Sequence, residues 1–216
     1  MRLVLASASP ARLATLRAAG VEPTVHVSGV DESAVDAADA AGLATELARL
    51  KAEAVFTELT RAGAEPVAGG GTVIVGCDSV LDLDGTICGK PGSDEAVRER
   101  WRAMRGRSGV LVTGHHVIVL AGGAAPARRT RAASTTVRFA DITDDEIDAY
   151  VATGEPQHVA GAFTIDGFGA AFVTGIEGDH HNVVGLSVPL LREMLAELGV
   201  CWTALWHTTG SYMPGR

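Results

Sequence analysis

At 216 residues with 47% apolar side chains, the chain is long enough to bury a core of its own, which argues against disorder. A net charge of -8 argues against wrapping nucleic acid, whose backbone demands accumulated lysine and arginine. A few cations converging in a cleft could still hold a free nucleotide. Cys77, Cys88 and Cys201 have no CxxC spacing, so neither a disulfide framework nor a zinc knuckle is expected, and a reducing cytoplasm fits. The start lacks the apolar core of a signal peptide, and no stretch approaches membrane-spanning length, so a soluble protein without membrane contact is expected.

The first element is an apolar strand over residues 3–5, followed by Ser7-Ala8-Ser9-Pro10-Ala11-Arg12. Ser9 suits an N-cap and Pro10 the first helical position, so free N–H groups and two hydroxyls should sit beside Arg12. Such a turn is an anion site, although a merely capped helix reads the same way. Asp31-Glu32 is either a solvated loop or a source of metal ligands. Leu43, Leu47, Leu50 and Ala54 predict a helix over 40–61 with one buried face, bearing Lys51.

Gly69-Gly70-Gly71 marks a flexible turn into an interior strand over 72–77, which runs into Asp78 and Ser79. A carboxylate at the end of a buried strand is costly unless it meets a cation, a metal or donors; the alternative is a turn-capping aspartate. Asp84-Gly85 predicts a tight hairpin between strands at 80–83 and 86–88, which delivers Gly89-Lys90-Pro91. Lys51 and Lys90 are the only two lysines, so general solubility is not their task, and each is a candidate compact charge for phosphate.

A helix capped by Ser93 is expected over 94–104, then strands at 110–113, 117–120 and 133–139. Thr143 and Glu146 form a capping box for a helix through Tyr150 that ends at Gly154. Glycine-rich short apolar runs fill 161–185, and a last helix spans 187–198. The pairs His115-His116 and His180-His181 read as polar turns rather than metal chelates, because strand neighbours face opposite ways. Residues 1–206 read as a single α/β unit and 207–216 as a mobile tail. No GxSxG elbow, GxxxxGK[ST] or GxGxxG element is present, so water is the expected nucleophile.

In order and spacing these motifs, together with Gly76-Cys77-Asp78-Ser79, Thr113-Gly114, Ala160-Gly161-Ala162-Phe163, Asp166-Gly167-Phe168-Gly169 and Asn182-Val183-Val184-Gly185-Leu186, are similar to those of the Maf proteins. These are nucleoside triphosphate pyrophosphatases related in fold to inosine triphosphate pyrophosphatase. The resemblance implies an elongated mixed β-sheet flanked by helices, two lobes with a nucleotide groove between them, and a homodimer. It implies hydrolysis of a nucleoside triphosphate to the monophosphate and pyrophosphate, with Asp78 as proton acceptor for water attacking the α-phosphorus. Arg12, Lys51 and Lys90 match the phosphate-contacting cations, Ser7 and Ser9 line the triphosphate loop, and Glu32 and Asp78 match carboxylates near a magnesium or manganese ion. Relatives selective for thymidine or uridine triphosphate carry arginine, threonine and glutamine where this chain has Arg12, Ser79 and Asp166.

An aspartate only accepts hydrogen bonds, so Asp166 should favour a base edge rich in donors, unless it merely turns the chain before Gly167. Two further readings stay open: a nucleotide-binding regulator of cell division, and a phosphatase that removes the terminal phosphate.

Overall fold

The computed structural model describes residues 1–62, 70–121 and 124–207. Seven strands form one mixed sheet: β1 (Arg2–Leu5), β2 (Thr24–Val25), β3 (Thr72–Leu83), β4 (Thr86–Cys88), β5 (Ser108–Leu120), β6 (Ala127–Phe139) and β7 (Val173–Glu177). The order is β2-β1-β3-β5-β6-β7, with β4 also beside β3. Around it lie α1 (Pro10–Ala18), α2 (Ala40–Arg61), α3 (Asp94–Met104), α4 (Asp144–Ala152), α5 (His180–Val184) and α6 (Val188–Glu197). The fold class is α/β, and no described helix is long and apolar enough to cross a membrane.

The neighbours of β3 fix where the site can be. One edge of β3 pairs with β5 without a break, from Thr72 opposite Leu120 to Asp82 opposite Val110. Its other edge is covered by β1 over residues 72–75 and by β4 over 81–83. Residues 76–80 therefore have a strand neighbour on one side only. Side chains from both faces of β3 can reach the gap, Asp78 from one and Ser79 from the other.

On one face, Val73, Val75 and Cys77 pack with Val117, Val119 and the apolar side of α6. Further along the same face, Leu81 and Leu83 join Leu111, Val137, Phe139 and the inner faces of α3 and α4. Ser79 and its ladder partner Thr113 are the polar break between these two clusters. On the opposite face α2 lies close against β3 and β5. A Cβ on Gly76 would come within 2.2 Å of the Ala48 carbonyl, and one on Gly114 within 2.1 Å of the Ala44 carbonyl. Only glycine permits this approach, and it is what carries Lys51 to Asp78.

Several local expectations hold. Ser9, Ser93 and Thr143 cap α1, α3 and α4, and Thr143 and Glu146 form the reciprocal box, while Ser187, expected inside the last helix, is the cap of α6. Asp84 and Gly85 take φ of 50° and 85°. Three readings need correction. Asp78 lies within a twelve-residue strand rather than at its end, because the ladder to β5 continues through it. The expected strands at 110–113 and 117–120 are one strand, and His115-His116 is its buried middle rather than a turn. His180-His181 opens α5, a short helix, rather than forming a turn. The tail at 207–216 lies outside the described residues except for His207, whose N–H donates to Gly20 O at 2.9 Å. Gly69 of the glycine turn also lies outside them.

Candidate active site

The gap beside β3 opens into a cavity of about 460 Å³. Ser7, Ser9, Arg12, Glu32, Lys51, Asp78, Ser79, Lys90 and Asp166 all line it. The two lysines and the central carboxylate thus share one hollow, although they come from α2, the loop after β4, and β3.

Lys51 is the hub of the charged side. Its Nζ lies 2.5 Å from Asp78 Oδ1 and 2.7 Å from Glu32 Oε1, with both Lys51 and Asp78 largely buried. Two ion pairs sharing one ammonium are what makes burial of these charges tolerable. Glu32 sits on a 3₁₀ turn capped by Asp31, which aims it back at α2. Burial pushes the Glu32 carboxyl up, but the Lys51 hydrogen bond and the charges of Lys51, Lys90 and Arg12 outweigh it and hold it below its ordinary value.

Arg12 is fixed from three directions. Its Nε donates to Gly185 O at 2.7 Å, Nη1 to Ser7 Oγ at 3.1 Å and Nη2 to Ser79 Oγ at 3.1 Å. Thr113 Oγ1 donates to Asn182 O at 3.1 Å, so its hydroxyl hydrogen is committed and Ser79 must be the donor in the 2.9 Å bond between the two hydroxyls. The chain from Arg12 through Ser79 and Thr113 to the α5 backbone therefore has a defined direction. Two guanidinium hydrogens, one on each Nη, remain for a ligand. Ser9 Oγ accepts from Arg12 N as the helix cap and Ser7 Oγ also accepts from Ser9 N, and neither hydroxyl donates its own hydrogen to a partner among the described residues.

Sequence reasoning missed the supports of this arrangement. Asn182 is fully buried and its Nδ2 donates to Leu111 O and Thr135 Oγ1, which anchors α5 to the sheet. His115 receives the Ser187 N–H on Nε2 at 2.8 Å, so its proton is on Nδ1, facing Thr113 O at 3.0 Å. A run of polar residues gives no hint of such depth; only the pairing of β5 between β3 and β6 reveals it. His158, also on the cavity wall, carries no sequence pattern that could have singled it out.

The class these features define is an α/β protein with a cleft for a polyanion: three cations, two carboxylates and serine hydroxyls meet at an unpaired strand edge. The model of the family described as Maf-like protein matches residues 2–198, and the chain belongs to that family. It is 58% identical over 206 residues to the nucleoside triphosphate pyrophosphatase of Streptomyces coelicolor, covering 95% of this chain and 94% of that one. It is 57% identical over 215 residues to the one from Salinispora tropica, covering 99% and 91%, and 55% identical over 205 residues to the one from Cutibacterium acnes, covering 94% of each. The solved structure of the Staphylococcus aureus Ham1 protein covers 95% of this chain and 94% of its own at 14% identity, with a TM-score of 0.39, too distant an overlay to argue from.

Proposed function

We propose that this protein is a nucleoside triphosphate pyrophosphatase, releasing a nucleoside monophosphate and pyrophosphate and so clearing modified or surplus nucleotides. The observation that carries the reading is the convergence of Arg12, Lys51, Lys90, Glu32 and Asp78 on one cavity, in a chain more than half identical to proteins named for that activity. Phosphoryl transfer asks the protein mainly for positioning and charge neutralisation, which such a set supplies. Asp78 Oδ1 is held by Lys51, and the Asp78 carboxylate is the proton acceptor for a water attacking the α-phosphorus. Arg12 offers its two uncommitted hydrogens, and Lys90 its compact charge, to the phosphates that leave as pyrophosphate.

The donor set fits magnesium or manganese. Asp78 Oδ2 and Glu32 Oε2 accept no hydrogen bond among the described residues, and two hard carboxylates suit an ion that completes its shell with water and phosphate oxygens. No cluster of three His, Cys, Asp or Glu side chains forms an all-protein cage among those residues. When bound, the ion supplies neutralising charge at the phosphate oxygens.

Asp166 stands on the cavity wall with no hydrogen-bond donor to it among the described residues, and in this reading it selects bases with donor-rich edges, of the cytosine or guanine kind, over uracil and thymine. The protein acts in the cytoplasm as a homodimer, as the resemblance implies. The two apolar clusters along β3 serve as the cores of two lobes of one domain over residues 1–206.

Pyrophosphate release tests the reading. Wild type with magnesium or manganese should yield pyrophosphate and monophosphate, and Asp78→Asn should lose about 100-fold or more in kcat while circular dichroism is unchanged. Orthophosphate and a diphosphate would instead mark a terminal phosphatase. Tight nucleotide binding without turnover would mark a regulator.

A further inference from the structure

The cavity has two kinds of lining. Glu32 and Asp78 pair with Lys51, and the charges of Lys90 and Arg12 also act on Glu32, whereas Phe163, Ile165 and Leu111 supply apolar wall and Asp166 a further carboxylate. If a triphosphate occupies the first, the nucleoside meets the second, so the geometry of residues 163–166 decides how a base is read. This part of the chain is irregular, lying between a 3₁₀ turn at Ala160–Ala162 and another at Phe168–Phe172, with no ladder to hold it.

Both ends of the segment are anchored. Trp101 Nε1 donates to Ala162 O at 2.9 Å, and Phe172 packs edge-on against Trp101 and Tyr150 with centroids 5.7 and 5.5 Å apart. Between the anchors, three donors of the segment converge on a single carboxylate. Glu155 Oε1 accepts from Thr164 Oγ1 at 2.6 Å and from Gly169 N at 3.1 Å, and Oε2 accepts from Phe168 N at 3.0 Å. A fourth donor, Tyr150 Oη, reaches Oε1 at 2.8 Å from α4. Glycine makes room for this hub. A Cβ at Gly167 would lie 2.2 Å from Glu155 Oε2, and one at Gly169 would lie 2.5 Å from Tyr150 Oη. Burial raises the Glu155 carboxyl, but these hydrogen bonds prevail and hold it below its ordinary value.

We infer that Glu155 is a positioning residue for the nucleoside part of the cleft, fixing the loop that presents Ile165 and Asp166 to the base without touching the ligand itself. Glu155 is absent from the cavity lining, but it binds Thr164, which lines the cavity beside Ile165 and Asp166, and it binds Phe168 and Gly169 just beyond them. A carboxylate is required because all four groups around it donate; an amide accepts at one oxygen only and would set its own N–H against a donor. This inference rests on the nucleotide reading of the cleft and adds to it the residue that sets base discrimination.

Calorimetry with non-hydrolysable α,β-methylene analogues of cytidine and uridine triphosphate, beside inorganic tripolyphosphate, separates the two parts. Glu155→Gln should weaken the preferred analogue about tenfold or more and compress the difference between bases. Tripolyphosphate should bind within about twofold of wild type. In turnover, KM should rise while kcat stays within about threefold. Gly167→Ala, at a φ of -127° outside the left-handed region, drives a methyl into Oε2 and should give the same pattern should Glu155→Gln fail to fold. Unchanged analogue affinity and base ranking in a folded variant would overturn the proposal, and so would an equal loss for tripolyphosphate, which would mean a general structural role. A wild type that binds tripolyphosphate but no nucleotide more tightly would instead overturn the nucleotide reading, and the proposal with it.

Discussion

Lys51 balances two carboxylates at once, and its removal has a consequence that simple loss of a positive charge does not capture. Glu32 is held low only because Lys51, Lys90 and Arg12 outweigh its burial; without Lys51 the largest opposing influence is gone and burial pushes the carboxyl up. Asp78 then loses the ammonium that holds its Oδ1, beside a Glu32 carboxyl that has lost its own partner. Lys51→Met should therefore lower kcat by about 100-fold and also shift the acidic limb of the kcat/KM profile to higher pH. A rate loss with an unmoved acidic limb would place Lys51 on the phosphate alone. Cys77, directly behind the site, takes no part: burial pushes its thiol up to about 12, which leaves it without thiolate at neutral pH.

Among the elements, α2 and its two facing glycines decide whether the site exists. Gly114 is opposite Asp78 in the ladder, and a methyl there would strike the Ala44 carbonyl carbon at 2.2 Å and Thr45 N at 2.5 Å, which are helix backbone and cannot rotate away. Gly114→Ala should cost about 3 kcal/mol in urea unfolding and, by lifting α2, separate Lys51 from Asp78 and abolish turnover. Gly89→Ala, with nothing within 4 Å of the added carbon, should leave stability within about 1 kcal/mol of wild type.

This dependence explains what could be read from the chain and what could not. Caps such as Ser9-Pro10 and Thr143 with Glu146, and the Asp84-Gly85 turn, are local chemistry and show in the sequence at once. The run through Asp78 looked broken because its compensating cation comes from a helix 27 residues upstream, and a buried charge reads as a strand end until its partner is seen. β2 pairs over two residues, too few for any periodicity. Glu155 resembles any loop acid, since its four donors are fixed by tertiary packing alone.

For the molecule as a whole, these buried groups set how stability varies with pH. Burial pushes His115 down to about 4 and lowers His116 as well, and His115 is tied as an acceptor to Ser187 N–H, so the fold admits only its neutral form near neutrality. An unfolded histidine titrates near 6.5. Below that pH the unfolded chain takes up a proton that the native protein refuses, so stability is full above about pH 6.5 and falls as the pH drops toward 4. The carboxylates held low, Glu32, Glu53 and Glu155 among them, act in a lower window: their contribution persists above the unfolded value of 4.5 and is lost only beneath it. Between pH 7.5 and 5 the histidines therefore dominate, and His115 alone should remove about 2 kcal/mol over that interval. His115→Gln keeps an acceptor for Ser187 but does not titrate. Its urea midpoints at pH 7.5 and 5 should differ by correspondingly less than those of wild type, and equal differences in the two proteins would show that the acid sensitivity arises elsewhere.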